Sequence, residues 1–591
     1  MALPGRDRDL GLAPATQSVS FMVKLPLRNR AELEQLTTLQ ATPSSPIFGH
    51  FLTVEQFRAR YGPTPDTIQR ATRALAAEGL HVTEIDSQSI RATGPVAAVN
   101  AAFGVRMHSF RNVRGRVLTA TEDAVRPQPA LASLGALIIG LNHGPERRSH
   151  LRFAAPRNRD STLGGYWFDD LKEAYEYPEY SVGSGAGVTI ATVGISDFSQ
   201  SDTVRYFAHE RLGPGASYLA PQPHFYHALM PGYTVFSAGD PDSAEANLDV
   251  QQAGGSASGA TILGIATDGS DAGFITAYTD IDEKKTGFVA QIVSTSYGEC
   301  ELFYTSAYGY FAGGNTGILT AGYHDAFLQG NAEGITFTTS SGDNAALDCP
   351  QPGYATSPPQ SGLKYLDVKG VEADADDPNV VAVGGTNLVT KSAPPSLIST
   401  YVSENSYDDT IGTDDPYGIG NYVTNELWGS GGGASTIFNK PAYQNLVTTG
   451  FATRAVPDVS MHMGGCPEGA VTCALNDSSV NLYLGGSIVE VIGTSAASPE
   501  FAGLLAVRLA KTKVPLGNAN AFIYSLAANN YARPAFKYFR QGIPGNNGVV
   551  TVKSGAEGWN QINGVGTPYA EIFADLGGHP FAGIPQTATN P

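Results

Sequence analysis

Four side chains in this 591-residue sequence have the types and settings of a nucleophilic site. Ser495 lies in VIGTSAASPEFAG (residues 491–503), behind Gly-Thr and ahead of small residues, Pro499 and an apolar segment that reads as a helix. A Gly-Thr-Ser turn feeding a helix places the hydroxyl at the positive end of the helix dipole, where developing negative charge is favoured. Gly-x-Ser triplets are common, so an ordinary serine near a helix start is the plain alternative. A hydroxyl nucleophile also needs a base. PDSAEANLDVQQAGGSASGATILGI supplies Glu245 and Asp249, four residues apart on a predicted helix and therefore on one face. Acid pairs at this spacing are frequent on solvated faces, but here the helix precedes a buried-strand pattern and is followed by the small-residue run AGGSASGA. In TTSSGDNAALDC, Asp343 follows a β run in a Gly-bearing turn.

The elements that must position these residues fall into two parts. SVSFMVKLP reads as a strand, RAELEQLTTL and TPDTIQRATRALAAEG as helices, LHVTEIDSQSIRATG as two strands and PVAAVNAAFG as a short helix. Together they predict a small α+β domain. HGPERRSHLRFAAPRNRDSTLGG (143–165) is polar, arginine-rich and aperiodic, which predicts an exposed linker open to proteolysis. Beyond it, apolar runs alternate with helical stretches: GVTIATVGI, ATILGIAT, VAQIVSTSYG, ITFTTSSGD, VVAVGGT. Continuous hydrophobicity of this kind predicts a mostly parallel sheet covered on both faces. The acidic stretch SYDDTIGTDDPYG lacks the carboxylate spacing of a calcium loop and reads as a solvated insertion.

Charge divides the chain at the same place. Residues 1–150 carry 17 basic against 12 acidic side chains, and the remainder 20 against 43. A basic front beside an acidic body is either independent composition or mutual attraction that weakens as carboxylates protonate. The acidic body argues against a nucleic-acid partner. No run approaches the roughly 20 apolar residues of a membrane span, and the opening MALPGRDRDLGLAPATQ has no apolar core of the signal-peptide kind.

GTSAASPEFAG resembles the nucleophile motif of the subtilisin superfamily. A subtilisin would use a histidine in a His-Gly-Thr setting as base, and none of the 11 histidines has that context. With Glu245, Asp249 and Asp343 in place, the chain resembles the sedolisin family, the serine-carboxyl peptidases, with an activation domain like that of pro-kumamolisin. The likeness runs from about Ser18 to GWNQINGVGTP. It implies a subtilisin-like α/β catalytic domain at 166–591, a ferredoxin-like α+β prodomain at 17–145 that inhibits it, and a cleavable linker at 146–165. It implies Ser495 as nucleophile, Glu245 as general base, Asp249 as its partner and Asp343 as the oxyanion-hole acid. A carboxylate base is efficient when its pKa lies near an acidic working pH, and Asp343 can donate to an oxyanion only when protonated. Acid activity is therefore expected.

STSYGE, with Ser294, Tyr297 and Gly298, and GSGGGAST, with Gly431, Gly432 and Gly433, resemble the strand-like walls of a peptide cleft. For the glycine tract a flexible loop is an equal reading. Cys300 and Cys349 could tie two turns flanking the cleft, and Cys466 with Cys473 could close a small loop; free buried thiols are the alternative. Disulfides favour export. The resemblance thus implies a secreted, monomeric zymogen of an endopeptidase, acting on proteins or peptides and on its own linker, with neither membrane nor nucleic acid as partner. A tripeptidyl-peptidase of the same family and an inactive peptidase-like binding protein are the rival readings. Relatives also resemble one another in a C-terminal calcium site with two aspartates. Here Tyr538 stands where one is expected and Asn560 follows Trp559 in place of the other, with Lys537, Arg540 and Lys553 nearby, so no cofactor is expected unless Glu557 supplies the charge.

Overall fold

The computed structural model describes residues 7–112, 115–142, 147–154, 165–178, 183–209, 223–306, 308, 315–349, 363–364, 368–391, 399–406, 409–414, 423–466, 471, 478–530 and 537–575. The front part folds around a four-stranded antiparallel sheet ordered His81–Ile85, Ser89–Pro95, Ser18–Lys24, Leu137–Ile139. Helices Arg30–Ala41, Pro65–Ala77 and Val96–Phe103 connect these strands. With two central strands flanked by the other two and helices in the crossovers, this is the ferredoxin-like α+β domain. Thr64 and Pro65 start the second of these helices, the Thr64 hydroxyl accepting from Thr67 N–H.

The body is built on an eight-stranded sheet. Strands His224–Leu229, Thr261–Ala266, Thr189–Gly194, Ile292–Thr295, Thr336–Ser340 and Val380–Lys391 lie side by side and parallel, and Val459–His462 extends the parallel set. Thr400–Asn405 adds an antiparallel pairing to the end of Val380–Lys391. The central strands are buried on both faces, as their unbroken apolar runs require.

Two buried helices cross beside this sheet and carry the candidate site: Pro241–Ser256 and Thr494–Thr512. The small-residue run does not follow the first helix but partly belongs to it. Gly254 and Gly255 stand in the helix where no larger residue fits, because Phe207 and Phe168 fill the space a Cβ would need, the nearest ring atoms lying 2.7 and 2.6 Å from it. Gly503 performs the same service between the helices, where a Cβ would fall 2.2 Å from Ser256 Cβ. Close approach of the two backbones brings their polar residues together.

The front domain seats on the body through charge of both senses. Arg30 pairs with Asp325 at 3.0 Å, Arg58 with Glu283 at 2.7 Å and Arg91 with Asp280. Lys285 of the body answers Glu84 and Asp86 of the front domain. The fully buried Gln88 side chain donates to the Asp325 carbonyl at 3.0 Å.

Two local expectations fail. The linker is not exposed where it is described: Arg147 and His150 are buried, and residues 148–149 and 152–153 are short strands paired with the body. Residues 155–164 lie outside the described set. The acidic insertion is partly ordered structure, since Asp409–Asp414 pairs antiparallel with Val423–Trp428 and buried Asp409 accepts from Cys466 N–H at 2.8 Å.

Candidate active site

Ser495 is the second residue of its helix and is fully buried. Gly493, just before it, has φ 138°, a backbone conformation L side chains rarely adopt. A Cβ there would sit 1.9 Å from the His150 carbonyl oxygen and 3.0 Å from Asp343 Oδ2, so these two oxygens converge on the space beside Ser495. Pro499 lies inside the helix rather than at its start. It has no N–H to offer the Ser495 carbonyl, which instead lies 3.3 Å from the Ser296 hydroxyl.

Glu245 and Asp249 face this point from the neighbouring helix, and neither is more than 1% exposed. Burial, then the Asp249 charge, pushes the Glu245 carboxyl well above the usual carboxylate range. Burial raises Asp249 to about 8, and the Ser296 hydroxyl, 2.7 Å from Asp249 Oδ1, opposes that rise. Two carboxyls with mutual repulsion in a dry site hold a proton between them and titrate as a pair. The Ser495 hydroxyl and both Glu245 oxygens make no closed hydrogen bond, yet the hydroxyl is near enough to Glu245 to favour its ionised form.

Asp343 closes the site from the turn after strand Thr336–Ser340. Its Oδ1 accepts both the backbone N–H and the hydroxyl of Thr494 at 2.8 Å. That leaves Oδ2, buried and without a partner, as the seat of a proton. Burial raises this carboxyl to about 6, against the opposing pull of His150 and the Thr494 donors. Below that pH Asp343 is a neutral donor aimed at the space the His150 carbonyl enters.

The linker runs through the site as an extended chain. Arg148 and Ser149 pair antiparallel with Gly298 and Tyr297. His150 donates its N–H to the Ser296 carbonyl at 3.2 Å, and Ser495 N–H points to the His150 carbonyl at 3.4 Å. On the far side Arg152 and Phe153 pair with Ile492 and Val491, and the Arg152 guanidinium lies 5.0 Å above the Trp428 ring. The His150 imidazole sits between Ser340 Oγ at 2.5 Å and Glu372 Oε1 at 3.4 Å.

Ser495, Glu245, Asp249 and Asp343 thus come together, and Tyr297 and Gly298 line the bound strand. Ser294 does not. Its side chain turns inward and meets Ser498 at 3.0 Å; two residues along, Ser296 takes the place against Asp249. Gly431 and Gly432 are closely packed: Gly431 donates its N–H to the Gly342 carbonyl at 2.7 Å, and a Cβ on Gly432 would lie 2.1 Å from the Gln561 carbonyl. Gly433 lies beyond them, half-buried, at the start of a strand. Cys300 and Cys349 are joined, bracing the Tyr297 turn against the Asp343 loop across 49 residues. Cys466 is disulfide-bonded, and Cys473 lies outside the described residues. Sequence reading missed Ser296, Thr494 and Glu372; the first two stand inside quoted motifs, and the third has no local signal.

Residues 7–141 match the family described as "Pro-kumamolisin, activation domain". Kumamolisin of Bacillus sp. (strain MN-32) is 27% identical over 577 residues, covering 95% of this chain and 92% of that protein. Sedolisin of Pseudomonas sp. (strain 101) is 26% identical over 520 residues, covering 86% and 79%. Over most of its length the chain is thus similar to serine-type peptidases of the sedolisin family. The solved structure of Pseudomonas sedolisin, a serine-carboxyl proteinase complexed with two molecules of pseudo-iodotyrostatin, shares the fold, with a TM-score of 0.52 at 24% identity over 71% of this chain and 98% of that one. Among the described residues no helix is long and apolar enough to cross a membrane.

The calcium site implied by the chain's resemblance to the sedolisin family does not fit the residues present. Asn560 Oδ1 already accepts the N–H groups of Ile562 and Asn563 at 3.0 and 2.9 Å. The residue facing its loop is Gln541, not Tyr538. Gln541 Oε1 accepts from Gly558 N–H at 3.0 Å, and its amide donates to the Val565 carbonyl at 2.9 Å. Tyr538 packs against the main core instead. The Arg540 guanidinium binds the Pro568 and Ala174 carbonyls. Glu557 is exposed. Neutral oxygens already engaged by donors, beside a cation, offer little to an ion that takes 6–8 oxygen ligands. Elsewhere, the acidic trio Glu84, Asp86 and Asp280 is filled by Arg91 and Lys285. EDTA is accordingly expected to leave the Tm of the processed enzyme unchanged in a thermal melt. A drop reversed by added calcium would overturn this.

Proposed function

We propose that this chain is the secreted zymogen of an acid-acting endopeptidase that cleaves its own linker between His150 and Leu151. The observation that carries this is the threaded linker, whose His150 carbonyl lies against Ser495 N–H and beside Asp343 Oδ2. The reactive form is the one in which the pair has lost one proton and Glu245 is ionised; Glu245 then takes the proton of Ser495 as Ser495 Oγ attacks the His150 carbonyl carbon. The charge that develops on oxygen is held by Ser495 N–H and by the proton on Asp343 Oδ2. Protonated Glu245 then gives its proton to the departing Leu151 nitrogen, leaving His150 as an ester on Ser495. Water enters, gives a proton to Glu245 and displaces Ser495, which recovers its own. Asp249 keeps Glu245 in place and shares its charge changes.

Until that cut, the linker blocks the cleft and the prodomain acts as an intramolecular inhibitor. Afterwards, proteins and peptides take the same extended path. The Cys300–Cys349 bond suits an oxidising compartment, in keeping with export. The enzyme is expected to act as a monomer.

An endopeptidase is favoured over a tripeptidyl-peptidase by what lies upstream of the cut. The third residue before it, Arg148, continues into Arg147, which is buried in the body, and from there to a whole domain. A site that counts three residues from a free N-terminus must be closed at that point. The processed enzyme, incubated at pH 3 to 5 with N-acetylated and free peptides of one sequence, should cut both internally. Release of tripeptides from the free peptide alone would favour the rival. Failure to cut either one, or casein, would favour the inactive binding protein.

A further inference from the structure

The most completely enclosed contact of the linker is made by a residue the reaction above does not use. Arg147 is 1% exposed. Its Nη1 and Nη2 donate to Asp374 Oδ2 and Oδ1 at 2.8 and 3.0 Å, a two-pronged match of guanidinium to carboxylate. Nη1 also reaches the Tyr297 carbonyl at 3.3 Å. The planar group lies 4.4 Å from the Tyr323 ring centroid and 4.9 Å from that of Phe274. Asp374 itself is fully buried, with Tyr278 OH 3.4 Å from its Oδ2.

Every wall of this slot belongs to the body: Phe274, Tyr278, Tyr297, Tyr323 and Asp374. The guanidinium alone comes from the piece that processing removes. Arg147 enters from the strand bound along Tyr297 and Gly298, so the slot opens onto the cleft. Once the linker leaves, Asp374 is left buried among aromatic rings without its counter-charge and takes up a proton, which an incoming guanidinium displaces as it restores the pair. The fork geometry and two ring faces suit arginine; a lysine ammonium can neither bind both oxygens in plane nor lie flat between rings.

We propose that Asp374, with Phe274 and Tyr323, forms a subsite of the processed enzyme that selects peptides carrying arginine four residues before the cleaved bond. The proposal rests on the His150–Leu151 reading above, which sets the count of four. It makes the linker a template for the substrate: arginine at the fourth position, held by Asp374, brings the fourth peptide bond after it onto Ser495.

The test uses enzyme processed by acid from the full chain and internally quenched peptides spanning residues 144–154. One carries the natural sequence and the others Arg147→Lys, Arg147→Ala or Arg148→Ala. The Arg147→Ala peptide should lose at least tenfold in kcat/KM and the Arg147→Lys peptide nearly as much, while Arg148→Ala loses less. Asp374→Asn enzyme should lose most of the preference for Arg147 over Ala; should that variant fail to fold, the peptide series on the natural enzyme decides alone. Equal cleavage of the Arg147 and Ala peptides at one bond would overturn the subsite and leave the slot as a clamp on the linker. If casein is cut but none of these peptides is, or all are cut at another bond, the His150–Leu151 reading falls instead.

Discussion

Asp343→Ala is expected to lower kcat of the processed enzyme by about 10²–10³-fold, or about 2.7–4 kcal/mol of transition-state stabilisation. The expectation follows from the division of labour between its two oxygens. Thr494 occupies Oδ1 with two donors, so the proton that matters is on Oδ2, beside the carbonyl that reacts. Alanine removes that donor and leaves Ser495 N–H to hold the oxyanion alone. Asp343→Asn separates the donor from its titration. An amide donates at every pH, whereas the natural carboxyl, raised to about 6, donates below that value and repels the oxyanion above it. The wild-type rate should therefore fall as pH rises through about 6, and the Asn variant should be slower at its best pH but lose less toward neutrality. Rates from pH 3 to 8 check both claims. Unchanged turnover in Asp343→Ala would remove Asp343 from the site.

The features of the molecule legible in its sequence are those with a local cause. Ser495, Glu245, Asp249 and Asp343 each sit in a short string whose composition reflects its own element: small residues where helices touch, a glycine where the backbone turns. The parallel strands announce themselves as apolar runs because both their faces are covered. The edge strand His224–Leu229 does not, since it is largely exposed and mixes histidines with tyrosine and leucine.

What could not be read locally depends on partners far away in the chain. RRSHLRF looks solvated because it is basic and aperiodic, yet its receptors Glu372 and Asp374 lie 224 and 227 residues on. Ser294 and Ser296 are indistinguishable until the strand's faces are known. A glycine tract that flexes and one packed against carbonyls, as Gly431 and Gly432 are, have the same composition. The Gln541 register emerges only with the pairing of Phe539 to Pro568.

The nucleophile carries the largest expected effect. In a related mechanism, removing the serine costs on the order of 10⁶-fold in kcat, which turns self-processing from fast to unobservable. Ser495→Ala should fold, because the hydroxyl has no closed hydrogen bond to lose. It should remain a full-length chain with the linker still in its cleft. The most direct measurement is the intact mass and new N-terminus of the purified chain after acidification to pH 3 to 5, beside Ser495→Ala treated identically. The wild-type chain should yield a first fragment beginning at Leu151, at a rate independent of protein concentration, while Ser495→Ala stays whole. Equal processing of the Ser495→Ala chain, or a first cut elsewhere in the linker, would contradict the account.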